Sequence, residues 1–132
     1  MKGRHHVIIE TSRLKYEFDI KRNITVIQGD SATGKTTLVA LISDYAEHGN
    51  KTGIMLQSDV KCLVYATSIG SWENAISECE DTIIFIDEGH DFIYTKKFAS
   101  VIKNTSNYYV LITRRPLINL PYSIKEIYGV RN

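Results

Sequence analysis

The stretch Gly29-Asp30-Ser31-Ala32-Thr33-Gly34-Lys35-Thr36-Thr37 follows directly on Asn23-Ile24-Thr25-Val26-Ile27-Gln28, and its reading decides the fold. Gly29, Gly34, Lys35 and Thr36 fit the pattern G-x-x-x-x-G-K-[ST]. Glycine lets a backbone curl through conformations that side chains resist, so that successive N–H groups point inward. Such a nest holds phosphate oxygens, and a helix beginning at about Lys35 turns its positive dipole end to the same anion. Lys35 is then expected at the β- and γ-phosphates of a nucleotide, and the Thr36 hydroxyl on Mg²⁺. Asp30, Ser31, Ala32 and Thr33 contribute mainly backbone, and Thr37 reaches toward the α-phosphate. The flanks agree with this reading. Residues 24–27 form a short β-branched run, and Leu38, Leu41, Ile42 and Tyr45 recur at helical spacing up to Gly49.

Some fifty residues on, Thr82-Ile83-Ile84-Phe85-Ile86 runs into Asp87-Glu88. A buried strand that ends in two carboxylates needs a partner for them, because an unpaired buried charge is costly. A metal ion supplies one. Asp87 is expected to hold Mg²⁺ through a water, and Glu88 to act as general base toward a water attacking the γ-phosphate. The plainer alternative is that both carboxylates only cap the next helix.

The remaining elements fall around these two motifs. Leu14, Tyr16, Phe18 and Ile20 alternate with Lys15, Glu17 and Asp19, which marks a half-buried strand. Residues 6–10 form a second strand, and Thr11-Ser12-Arg13 would close the pair as a hairpin. Strands are expected at 51–58, 62–66, 82–86, 108–112 and 124–130. Ser71 should cap a helix carrying Trp72, Ala75, Ile76 and Cys79, and Phe98, Val101 and Ile102 mark another. Asp91, Phe92 and Tyr94 start or cap the segment between. The alternation predicts an α/β fold: a mostly parallel sheet with helices on both faces and the antiparallel hairpin added at an edge. Residues 29–37, 87–91 and 113–115 follow strands and should converge on one edge of the sheet, where ligands bind.

A chain of 132 residues suggests one domain, 1–132, large enough for a core without staples. No apolar run reaches the ~20 residues of a membrane helix, and the N-terminus lacks a secretory apolar stretch. Cys62 and Cys79 fit no metal spacing, so a reduced, cytoplasmic protein is expected. Residues 1–94 carry 9 Lys/Arg against 14 Asp/Glu, whereas residues 95–132 carry 7 against Glu126 alone. That basic end can attract nucleic acid or another polyanion, or simply be a solvated face with arginines turned to nucleotide phosphates.

The two motifs together, Walker A at Gly29–Thr36 and Walker B at Asp87-Glu88, make the chain resemble the P-loop NTPases. Specifically, it resembles the division with an additional catalytic glutamate, which includes AAA-type, RecA-like and ABC-type ATPases. The likeness covers the element order of most of the chain and implies a three-layer P-loop NTPase fold with ATP and Mg²⁺ as ligands. It also implies that residues 108–112 lie between the Walker A and Walker B strands, with Thr113 where the division senses the γ-phosphate. Arg114 or Arg115 would then stabilise charge on the transferring group, in cis or from a neighbouring subunit of a homo-oligomer. The alternative is a pair of surface arginines. His90 completes Asp-Glu-Gly-His, similar to the D-E-x-H box of helicases, and would couple nucleotide to Thr113 or serve as a local hydrogen-bonding residue. An AAA lid, the ABC signature and a second RecA-like domain are not found in the sequence. The likeness is therefore to compact single-domain ATP-binding proteins of phages and mobile elements.

Three functions follow. The first is an ATPase that switches or drives a partner, a nucleic acid or another protein. The second is a small kinase, since Ile86-Asp87-Glu88-Gly89-His90-Asp91-Phe92 is also similar to the strand end of thymidine kinases. That family's zinc-bearing lid needs more cysteines than two, and the lid here would have to be the loop 114–123. The third is a nucleotide-gated binding module with little turnover.

Overall fold

The computed structural model describes residues 5–12, 14–20, 23–28, 35–48, 53–65, 70–87, 90–113, 123–126 and 130–131. Five strands form a parallel sheet: β3 (Ile24–Gln28), β5 (Cys62–Val64), β6 (Ile83–Asp87), β7 (Tyr108–Ile112) and β8 (Ser123–Glu126). Their order is β5-β6-β7-β3-β8, and every neighbouring pair runs parallel. A second sheet is antiparallel, in the order β4-β1-β2-β9, from β1 (His5–Glu10), β2 (Leu14–Ile20), β4 (Met55–Gln57) and β9 (Val130–Arg131).

The central strands are apolar on both faces because both faces are covered. Ile83, Phe85, Tyr108, Val110, Ile112 and Ile27 pack with Leu38 and Ile42 of helix α1 (Lys35–His48). The inward residues of the hairpin, Val7, Ile9, Tyr16, Phe18 and Ile20, belong to this same cluster. On the opposite face Ile84, Ile86, Tyr109, Leu111, Ile24 and Val26 meet Ala75 and Ile76 of α2 (Trp72–Ser77). Ile93 of the 3-10 turn Asp91–Tyr94 and Phe98, Ala99 and Ile102 of α3 (Lys96–Ile102) complete it. Each short helix is started by a side chain that accepts an orphan N–H. Ser71 Oγ accepts from Asn74 N at 3.3 Å, and Thr95 Oγ1 from Phe98 N at 3.2 Å.

The α/β class and the helices on both faces agree with the sequence reading, but three pairings differ. The hairpin does not extend the edge of the parallel sheet; it lies against that sheet's α1 face as part of its own sheet. The run around Ile54-Met55-Leu56 is not a parallel strand, because β4 pairs antiparallel with β1, Ile9 opposite Leu56. The expected C-terminal strand 124–130 is two strands, one in each sheet: β8 beside β3 and β9 beside β2. The helix stop at Gly49, the hairpin turn at Arg13 and the loop holding Pro116 and Pro121 lie outside the described residues. Among the described residues no helix is long and apolar enough to cross a membrane. Cys62 and Cys79 are free thiols, and burial pushes the Cys62 thiol up to about 11, which keeps it protonated and unreactive.

Asn107 ties together the strand ends remote from the site. Its Oδ1 accepts from Thr82 N at 3.0 Å, and its Nδ2 donates to the Cys79 carbonyl at 3.2 Å and to the Tyr109 hydroxyl at 3.5 Å. Asn107 and Thr82 are buried. Asn107→Ala strands these partners, and the expected loss is about 2–4 kcal/mol, since an unsatisfied buried group costs ~1–3 kcal/mol. Urea unfolding measures it, and a loss below about 1 kcal/mol would contradict the structural role.

On the outer face of the hairpin, His6 Nδ1 meets Asp19 and His6 Nε2 lies 2.6 Å from Glu17 Oε2. Glu17 is also bridged to Lys15 at 3.5 Å. Serving two carboxylates requires protons on both ring nitrogens. The Asp19 bond, then the Glu17 bond, raise the His6 pKa above 6.5, and the His6 bond lowers that of Glu17 below 4.5. The His6 contribution to stability is complete below 6.5 and disappears as pH rises through the raised folded value. The Glu17 contribution is complete above 4.5 and disappears as pH falls through the depressed one. The melting-temperature gap between wild type and His6→Ala should therefore peak between those values and close at alkaline pH. A gap independent of pH would rule the pairing out.

Candidate nucleotide site

Three strand ends carry the expected site, and the sheet brings them side by side. Ile27 of β3 is opposite Ile112 of β7, and Ile112 is opposite Asp87 of β6. Ile27, Ile112 and Asp87 thus form one row across the sheet, and at ~4.8 Å per strand Asp87 is about 10 Å from Ile27. The pairing continues one residue past β7, where Thr113 N donates to the Ile27 carbonyl at 3.2 Å. Gly29 is two residues beyond Ile27, and α1 begins at Lys35 after the intervening loop. Asp87, Thr113 and the end of β3 accordingly share the carboxyl edge of the sheet. β7, the strand expected between the two motif strands, pairs with both β3 and β6.

α1, which follows β3, covers one face of the sheet, while α2 and α3, which flank β6, cover the other. The 14-residue helix α1 begins at Lys35, so its positive dipole end lies at Lys35, Thr36 and Thr37.

Beyond Asp87 the chain is fastened by aromatic packing. The Phe92 ring stacks on Trp72 with centroids 5.0 Å apart and planes 6° from parallel. Tyr65 meets Phe92 edge-on at 5.3 Å and His90 at 4.9 Å, and Phe98 joins Trp72 to Tyr109. Edge-on and offset contacts of this kind add to plain burial. His90 caps the 3-10 turn through its backbone, with no side-chain cap bond, and its ring belongs to the aromatic cluster. Thr113 is fully buried, and its Oγ1 shares a hydrogen bond of 2.5 Å with the Tyr94 hydroxyl.

Of the candidate residues, Thr113 is described in full, while Asp87 and Lys35, Thr36 and Thr37 are described as the ends of β6 and α1. Gly29, Asp30, Ser31, Ala32, Thr33, Gly34, Glu88, Arg114 and Arg115 lie outside the described residues. Sequence reasoning missed Tyr94 as the partner of Thr113. The only available signal was the period of two in β7, which puts Thr113 on the face of Tyr109 and Leu111, the face that α3 and the 3-10 turn cover. Among the described residues no three His, Cys, Asp or Glu side chains form a metal cluster. An Mg²⁺ site built from one hydroxyl, one carboxylate through water and substrate phosphates requires none. No family model matches the chain, and no curated protein matches it.

Proposed function

We propose that this protein binds ATP with Mg²⁺ and hydrolyses it to ADP and phosphate. In this reading it is a compact ATPase of the P-loop type with an additional catalytic glutamate. The observation that carries the reading is the strand order β5-β6-β7-β3-β8, with the end of β3, Thr113 after β7 and Asp87 at the end of β6 on adjacent strand ends. A strand ending in Asp87 two positions from β3, with β7 between them, supports the reading. The residues fit the metal as well. Thr36 and, through a water, Asp87 would hold Mg²⁺, whose charge neutralises that developing on the β- and γ-oxygens.

Backbone N–H groups of residues 29–35 and the Lys35 ammonium would hold the triphosphate in place. Glu88 would accept a proton from a water as that water's oxygen bonds to the γ-phosphorus. The bond from that phosphorus to the bridging oxygen breaks, and ADP leaves with the electron pair. Arg114 or Arg115 would meet the charge on the transferred group, supplied in cis or by a second copy. Turnover would switch or drive a partner, a nucleic acid or a protein reaching the basic C-terminal part, in the reducing cytoplasm. Purified protein with ATP and Mg²⁺ should release phosphate above the Glu88→Gln background. No release above it, with DNA or without, ends the reading, and labelled phosphate appearing on a nucleoside would make the protein a kinase instead.

A further inference from the structure

Thr113 joins three parts of the molecule. Its strand, β7, lies between β3 and β6; its N–H is bonded to the Ile27 carbonyl at the end of β3; and its hydroxyl is bonded to Tyr94. Tyr94 closes the 3-10 turn Asp91–Tyr94, the first regular element after Asp87-Glu88. That turn is held to the sheet by buried Ile93 and by Phe92 stacked on Trp72. The Tyr94 ring is only partly buried, so core filling alone does not account for the phenol at this position. Its hydroxyl instead satisfies a polar group that is fully buried at the end of a central strand.

We propose that Tyr94 is a positioning residue for the nucleotide reaction, acting through Thr113. The inference rests on the ATPase reading above. A threonine side chain has a small number of χ1 rotamers, and in some of them its hydroxyl bonds a nearby backbone carbonyl. The Tyr94 bond favours one of these orientations and ties the end of β7 to the 3-10 turn Asp91–Tyr94. The ends of β3 and β7 and the 3-10 turn Asp91–Tyr94 are thereby tied to one another. A misplacement of about 1 Å at such a site can cost on the order of 10²-fold in rate without altering ground-state binding. The phenol hydroxyl, rather than the ring, is the part that matters.

The test is a double-mutant cycle on ATP hydrolysis by the full chain, with Tyr94→Phe, Thr113→Val and the combination. Each single change should lower kcat about tenfold, or ~1.4 kcal/mol in barrier height, and leave KM within about twofold, because the bond acts on the transition state and not on ATP binding. The double variant should be no slower than the slower single one, since removing Thr113 leaves Tyr94 nothing to orient. Melting temperatures should show all three folded. Wild-type kcat in Tyr94→Phe, or losses that multiply in the double variant, overturns the inference while leaving the ATPase reading intact. Absence of ATP hydrolysis in the wild type overturns both. A Tyr94→Phe loss confined to KM or to melting temperature makes the bond structural and also overturns it.

Discussion

Replacing Lys35 by alanine should weaken ATP binding about 10–100-fold, as expected for losing a charge-assisted contact to phosphate worth ~1.5–3 kcal/mol. The fold should survive the change. Lys35 is the first residue of α1, and alanine is the best helix former at that position. The core positions of the helix, Leu38 and Ile42, are untouched. The backbone N–H groups of the loop and the helix dipole remain, so residual affinity is expected rather than none. Isothermal titration with a non-hydrolysable ATP analogue and Mg²⁺ measures the effect, with a melting curve as control. Affinity within twofold of wild type would mean that the glycine loop is not a phosphate cradle.

How far the sequence discloses this arrangement depends on the kind of signal each segment carries. β6 and β7 are legible because Ile83-Ile84-Phe85-Ile86 and Tyr108-Tyr109-Val110-Leu111-Ile112 are apolar at every position, as strands covered on both faces must be. β2 is legible for the opposite reason: Tyr16 and Phe18 alternate with Lys15, Glu17 and Asp19. Alternation says that one face is buried but not against what, so the hairpin's place over the α1 face could not be read. Ile54-Met55-Leu56 misled through its composition. It looks like a central strand, yet Met55 is 51% exposed on the outer side of the antiparallel sheet. At the C-terminus Gly129, a residue that weakens strands, stands between β8 and β9 and was the available sign of a break.

The proposed site rests on short motifs, because a phosphate site's residues are dictated by chemistry that is local in sequence, whereas the pairing around it is not. A phosphate nest needs its glycines and lysine within one short loop, and Asp87-Glu88 must stand at the end of one strand. The contact between Tyr94 and Thr113 spans 19 residues and two elements, and only the packing of the 3-10 turn on the sheet creates it. Whatever couples the strand ends to each other is tertiary in origin and leaves no short motif behind.

Changing Glu88 to glutamine should leave ATP affinity within about twofold and cut hydrolysis by about 10²-fold or more, the usual range for loss of a positioned general base. Glutamine keeps the size of glutamate and its ability to orient a water by hydrogen bonding, but cannot take the proton. The change also removes a negative charge near the triphosphate, so binding should hold or tighten, never weaken. Asp87, one residue earlier, gives the contrast. As the last residue of β6, in register with Ile112, it would hold Mg²⁺ through water, so Asp87→Asn should weaken Mg²⁺-dependent binding and turnover together. Single-turnover phosphate release measured beside equilibrium nucleotide binding separates the two carboxylates. If Glu88→Gln lost binding and hydrolysis in equal proportion, Glu88 would be a helix-capping or structural carboxylate. The protein would then be a nucleotide-binding module without a general base at this position.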